Sequence, residues 1–427
     1  MSELKIPPVA ALKIPPVAAL KIPPVAALKI RARALTLAAV AAGTVLAFTL
    51  DGCSDEPTAA NAPVAALPLT NLSVRDTTIV ATGSSTYRQF VPTNGAVNLI
   101  GRSGNYTAMA LIQFSTAYFP ARDTALVFGA SLTLRFETWF GDSTGQFSFN
   151  IYRISVPWGE TNVTWDTVQA PGFYEQYTVR GSYSSGAGKD TQSVTIPLDT
   201  AMVRQWLATP TSTTNTSYGI LLVPTSGCSI IRGFNEYGYP LDSTGYYPTL
   251  QIVAGSPSGT PRDTASYTIS FDTWVGNIEN LATNPQLIYI QSGVDYRSAL
   301  SFDVSFIPRG AVINSANLLL TSDPATTRIS RFTTDSTFQL ATTLSASDRT
   351  IQDAYAVSGA RRGGTLLTYS ADMSRPVQIW NRLPNYGVTL KPNVFSEPVS
   401  FQLLTFFNEK APPALRPRLK LKYSVVR

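Results

Sequence analysis

The sequence predicts an all-β protein, with two tandem β-sandwich or barrel domains behind an export segment. Three observations predict it. Short runs alternate apolar and polar residues with a period of two, as in Leu132-Thr-Leu-Arg-Phe136, Phe147-Ser-Phe-Asn-Ile151 and Tyr267-Thr-Ile-Ser-Phe271; this period turns one side of each run to a core and the other to solvent. Only 14% of the residues are charged, and the 19 Tyr and 20 Phe stand among plentiful Thr and Ser, a mixture suited to pleated, half-exposed surfaces. A set of landmarks also occurs twice in one order, so the folding unit is duplicated.

The elements follow in chain order. Residues 1–30 hold three perfect copies of Leu-Lys-Ile-Pro-Pro-Val-Ala-Ala and the start of a fourth at Leu28. The paired prolines block helix and favour an extended rod. Such identity fits recent tandem duplication of DNA, and the segment is expected either to precede the true start or to be discarded with the signal; a spacer is the other reading. Residues 31–53 run from Arg31 and Arg33 through an apolar, Ala-rich stretch to Leu50-Asp-Gly-Cys53, the order of a secretory signal. The last four residues resemble a bacterial lipobox, in which the cysteine thiol receives lipid and the chain is cut before it. Asp51 is unusual there, and Ser54 after the cysteine implies the outer membrane. A transmembrane helix over 34–50 is the rival, with 17 residues at the lower edge of the span a bilayer needs. Residues 54–69, which open Ser54-Asp-Glu-Pro-Thr-Ala-Ala-Asn-Ala-Pro63, read as a flexible tether.

Composition excludes several kinds of chemistry. The chain carries 33 basic and 27 acidic residues, but six of the basic and two of the acidic ones precede Ser54, which leaves 27 against 25, a net of +2. No basic surface for nucleic acid is expected. Histidine is absent, so there is no Ser-His-Asp or Cys-His pair and no imidazole metal site. If Cys53 carries lipid, Cys228 is a small buried residue; a Cys53–Cys228 disulfide is the alternative. No Gly-x-Ser-x-Gly elbow, Walker loop, dinucleotide fingerprint or EF-hand loop is present.

The duplicated landmarks place the first domain at 70–254, a linker at 255–260 and the second domain at 261–427. Arg75-Asp-Thr77 answers Arg262-Asp-Thr264; Ala110-Leu-Ile-Gln-Phe114 answers Ala299-Leu-Ser-Phe302 with one residue fewer; Pro120 answers Pro308; and Ala130-Ser-Leu-Thr-Leu134 answers Ala316-Asn-Leu-Leu-Leu320. Val203-Arg-Gln-Trp206, Phe234-Asn-Glu236 and Pro248-Thr-Leu250 answer Val377-Gln-Ile-Trp380, Phe407-Asn-Glu409 and Pro417-Arg-Leu419. One helix is expected over Asp199–Leu207, with Met202, Val203, Trp206 and Leu207 on one face.

Taken with Trp158-Gly-Glu-Thr-Asn-Val-Thr-Trp165, these landmarks resemble the DNRLRE domain family, relatives of the carbohydrate-binding modules numbered ninety-six and of disaggregatase-type surface repeats. The resemblance covers most of 70–254. The second copy departs from it, with Leu344-Ser-Ala-Ser-Asp-Arg-Thr-Ile351 in place of a Trp-x-Glu segment and Arg297 where the first copy has Met109. The resemblance implies jelly-roll-like sandwiches, commonly secreted and often attached to polysaccharide-active enzymes. Trp158, Trp165, Trp206 and Trp380 are then core residues.

Sugar recognition needs flat aromatic faces with polar neighbours, and loop tyrosines supply them at low entropic cost. The candidate set is Tyr237, Tyr239, Tyr246 and Tyr247 in one loop, with Tyr174 and Tyr177 in another; filling of long loops is the competing reading. Glu160, Glu236 and Glu409 are candidate sugar ligands or acids, though a Glu in a packing motif more often bonds backbone amides or an Arg such as Arg232. No cofactor is expected. Sandwiches of this kind often hold one structural Ca²⁺ through backbone carbonyls, which leave no sequence signature. The expected function is a lipid-anchored, non-catalytic surface protein that binds a polysaccharide or envelope glycan and no nucleic acid. A structural subunit that self-associates, its basic strand Leu415–Lys422 adding to a neighbour's sheet edge, is the alternative; a polysaccharide-active enzyme is the second alternative.

Overall fold

The computed structural model describes residues 72–95, 97–114, 126–141, 143–185, 192–207, 217–235, 247–255, 262–281, 283–294, 296–328, 337–347, 349–357, 359–362, 366–395 and 397–426. The octapeptide repeat, the signal segment with Cys53, the tether, and Glu236, Tyr237, Tyr239 and Tyr246 lie outside the described residues. The described residues fall within one compact unit, 71–427. They are all-β, with three short helices. No described helix is long and apolar enough to cross a membrane.

The strands form two sandwiches. Two begin the chain order, β1 (Leu72–Val80) and β2 (Gly83–Arg88); β3 (Val97–Ser103), β4 (Tyr106–Phe114), β5 (Leu126–Gly141) and β6 (Phe147–Arg153) follow. Helix α1 (Trp165–Gln169) leads to β7 (Gly181–Ser185) and β8 (Gln192–Pro197), and α2 (Thr200–Leu207) to β9 (Ile220–Pro224), β10 (Ile230–Asn235) and β11 (Thr249–Gly255). Strand β12 (Arg262–Ile278) runs 17 residues into the second half. There lie β13 (Leu287–Gln291), β14 (Tyr296–Ser301), β15 (Val312–Thr321), β16 (Phe338–Thr343), β17 (Ile351–Val357), β18 (Gly359–Arg362) and β19 (Leu366–Asp372), then helix α3 (Ser374–Trp380), β20 (Val388–Pro392), β21 (Leu403–Phe407) and β22 (Arg418–Val426).

In the second sandwich the layers are separate sheets, ordered β1-β22-β15-β19-β18 and β17-β16-β20-β14-β13-β21, with β2 also paired to β14. In the first, the long strands β5 and β12 bend through both layers and join them into one sheet. The duplication shows in the register. Leu250 of β11 faces Leu132 of β5, and its counterpart Leu419 of β22 faces Leu318 of β15. Trp206 and Trp380, on α2 and α3, are both buried beside the fully buried Val203 and Val377. Gly219 and Gly387, at φ +84° and +81°, precede β9 and β20; a Cβ on either would meet the carbonyl oxygen of Ile112 or Leu300, at 2.0 and 2.3 Å. These contacts count the halves from Phe114 and Phe302, so Ile112 matches Leu300.

The strands do not sort by sequence half. Strands β1 and β2, the first strands of the first half, complete the second sandwich: β1 pairs with β22 along its whole length and β2 with β14. Their counterpart β12 completes the first, pairing through Arg262–Thr268 with β11 and through Ile269–Ile278 with β4. The expected boundary at 255–260 therefore joins two neighbouring strands of one sheet, with Gly255 paired to Arg262. Each half lends its first strands to the other, and the cores merge at the crossing. Trp274 of β12, fully buried, lies against Phe401 at 5.1 Å, and Phe401 also touches Tyr106 and Phe140 of the first sandwich. Strand β22 is interior, held by β1 on one side and β15 on the other, so its pairing with a neighbour's strand, as the sequence suggests, requires β1 to leave it first.

Candidate functional site

The site is built on the connection between β6 and β7. This segment folds back over the outward face of the β4–β9 layer. Its Ile154, Val163, Val168 and Phe173 bury Met109, Leu111, Leu221 and Val275 in a small second core. Trp158 fixes one end by donating its indole N–H to the Tyr218 carbonyl at 2.8 Å and packing edge-on against Phe271 at 4.8 Å. Thr164 caps α1: its Oγ1 accepts from the Thr167 backbone N–H at 3.1 Å, while the Thr167 hydroxyl accepts from the Thr164 N–H at 3.3 Å. Backbone bonds from Ser155 to Phe173 and from Glu175 to Arg153 close the segment against β6. Trp158 and Trp165 are thus half-buried parts of a cap, whereas Trp206 and Trp380 are core residues as expected.

Between this cap and the chain leaving β2 runs a groove of about 230 Å³. One wall carries Arg88, Phe90, Val91 and Thr93, and the other carries Val163, Thr164, Trp165 and Asp166. The floor is Val275 with Gly276 and Gly293, which have no room for a side chain: a Cβ on Gly276 would lie 2.4 Å from the Gly293 carbonyl oxygen. Phe90 is 43% exposed and Trp165 half-buried, so each is open to a ligand in part. Arg88 and Asp166, both exposed, give the walls opposite charges. Thr93 is buried and donates to the Trp274 carbonyl, anchoring its wall to β12.

The same connection presents two of the predicted tyrosines. Tyr174 is half-buried beside Tyr152, with ring centroids 5.3 Å apart at 60°, and burial followed by the Tyr152 hydroxyl raises its pKa. The Tyr152 hydroxyl in turn accepts from the Asn150 side-chain amide at 3.3 Å. Tyr177 is 93% exposed. Its turn is held by an ionic chain: Glu175 bridges Arg153 at 3.3 Å and Arg180 at 2.7 Å, and Arg180 also pairs with Asp199. Burial raises the Asp199 carboxyl, but its bonds to Arg180 and to backbone N–H groups outweigh this and lower it overall.

The other predicted residues are placed elsewhere. Tyr247 is half-buried just before β11, a different element from Tyr174 and Tyr177. Glu409 accepts a 2.5 Å hydrogen bond from Ser84 of β2, and Glu160 is half-buried on the cap. Arg232 is buried with its guanidinium 5.7 Å from the Phe136 ring centroid and 5.9 Å from that of Phe147. Cys228 is buried, its thiol against the Ile230 carbonyl. Among the described residues no group of three or more Cys, Asp or Glu could hold a metal ion.

Sequence reasoning missed Arg88, Phe90 and Asp166. Asp166 was signalled by its place beside Trp165. The other two come from the exchanged arm, which no local pattern connects to the cap. The chain matches no family model, no curated protein and no solved structure.

Proposed function

We propose that this is a lipid-anchored surface protein that binds a polysaccharide, without catalysis, in the groove beside the β6–β7 cap. The observation that carries the reading is the pairing of Phe90 and Trp165 on facing walls with Arg88, Asp166 and Thr164 beside them. Aromatic faces stack on pyranose rings, and flanking charges and hydroxyls bond the sugar's oxygens. Tyr177 and the Tyr152–Tyr174 pair stand on or beside the same connection and offer further aromatic faces, which suits a polymer better than a single sugar. The resemblance of Trp158–Trp165 to carbohydrate-binding modules agrees with this, and in the structure that segment builds one wall. The order of basic, apolar and Leu50-Asp-Gly-Cys53 residues supports acylation at Cys53 and placement at the outer membrane.

Affinity electrophoresis through gels containing envelope glycans and plant or microbial polysaccharides tests the reading. At least one polymer is expected to retard the protein, and Trp165→Ala or Phe90→Ala to release it. Uniform mobility across the panel would overturn it. For the anchor, labelled palmitate is expected to enter the wild-type chain and not Cys53→Ala; equal labelling would refute acylation at that residue.

A further inference from the structure

We infer that the β1–β2 arm can be donated to a second copy of this chain, linking copies end to end by strand exchange. In each sandwich the strand beside the last one is supplied from the other half: β12 beside β11, and β1 beside β22. The second sandwich is therefore closed by strands that reach it through the short segment 89–96, not by its own contiguous chain.

The two loans differ in how firmly they are held. Strand β12 buries Ile269, Asp272, Thr273, Trp274, Val275 and Ile278. Strands β1 and β2 have no buried residue: six of the nine in β1 are exposed, and Leu72, Val74 and Val80 are 49%, 54% and 44% exposed. Only Ala81, between them, is buried in the second core. The arm is thus held by its backbone ladder to β22 and β14 and by polar side-chain contacts such as Ser84–Glu409, Thr86–Ser298 and Tyr87–Thr389, with little apolar burial, and the same ladder and partners are offered by every other copy. The acceptor, by contrast, needs a strand: β22 turns the buried Leu419 and Leu421 inward and would otherwise present a bare edge.

The pivot is also defined. Thr93 ties the chain to β12 through the Trp274 carbonyl, so movement is confined to Gln89-Phe-Val-Pro92. Proline keeps the residue before it extended, and Phe90 at the pivot is 43% exposed. One arm and one acceptor per chain make a head-to-tail contact, which propagates as an open filament unless two copies close on each other. Arg88 in the β2 ladder and Phe90 at the pivot also line the groove, but a 76–422 cross-link reads strand exchange whether or not the groove binds a glycan.

Cross-linking at a register position decides it. Asp76 of β1 faces Lys422 of β22, and cross-strand partners lie within disulfide reach. Asp76→Cys and Lys422→Cys are made separately in the full chain carrying Cys53→Ser, co-expressed, concentrated and oxidised. The expected result is a covalent 76–422 dimer in the mixture that neither variant forms alone, and a ladder of multimers from the double variant. A double variant that yields only an internally cross-linked monomer, with no dimer in the mixture, would overturn the inference. So would a 76–76 dimer from Asp76→Cys alone, which would mean that exposed β1 edges pair without exchange.

Discussion

Arg297 shows how one residue changes what covers a sheet. Its counterpart Met109 lies under the apolar cap of the first sandwich. Among the described residues the second sandwich has no such apolar cap, and Arg297 is buried there in a 2.9 Å pair with Glu397 from the chain after β20. Burial raises the Glu397 carboxyl above its ordinary range and lowers the Lys391 ammonium below its own. Removing one member of a buried pair leaves the other charge uncompensated, at about 3–5 kcal/mol. Arg297→Ala is expected to lose stability of this order in urea titration, and Arg297→Met with Glu397→Leu to regain most of it. Tyr106 gives a pH test. Burial pushes its hydroxyl up to about 12, while Arg328 opposes the shift, and it donates to Gln291 at 3.1 Å. The raised folded value means that its contribution is complete below the unfolded value of about 10 and is lost as pH rises toward 12, roughly 2–3 kcal/mol in all. Tyr106→Phe is therefore expected to be the less stable protein at pH 8, with a gap to wild type that narrows between pH 10 and 12.

Among the elements, the cap on β6–β7 carries most of the functional argument. Trp158 joins it to both Tyr218 and Phe271, so Trp158→Ala is expected to loosen residues 155–180 while leaving the main core intact. Limited proteolysis should then cut this segment at least several-fold faster, with far-ultraviolet circular dichroism unchanged. Much at this scale was legible in the sequence. The period-two runs became β5, β6 and β12, and Asp199–Leu207 contains the helix α2 with the predicted buried face. Trp158 and Trp165 were read as core because the resemblance implies packing at their positions, but here they pack outward, onto the second face of a sheet. A period of two identifies the buried side of a strand and says nothing about a loop returning to cover the other side.

Across the whole molecule, the halves are interlocked rather than strung together. The duplication was legible from landmarks such as Leu250 and Leu419, whose register recurs. Which half each first strand joins was not, because Arg75-Asp-Thr77 and Arg262-Asp-Thr264 carry nearly the same pattern and either could pair with either last strand. Only the three-dimensional path of β12, from β11 across β4, settles the pairing. Shared strands and the Trp274–Phe401 junction couple the halves, so calorimetric unfolding of the described unit is expected to show one transition. Two well-separated transitions would mean that each half folds by itself.

The central claim is that the groove between Phe90 and Trp165 binds a glycan. Titration calorimetry with an oligosaccharide of the polymer that retards the protein tests it most directly. The expected result is saturable binding to the wild type, weakened about ten-fold or more by Trp165→Ala, as loss of one stacking face implies, with the melting temperature little changed. Undiminished binding by a folded double variant, Phe90→Ala with Trp165→Ala, would contradict it.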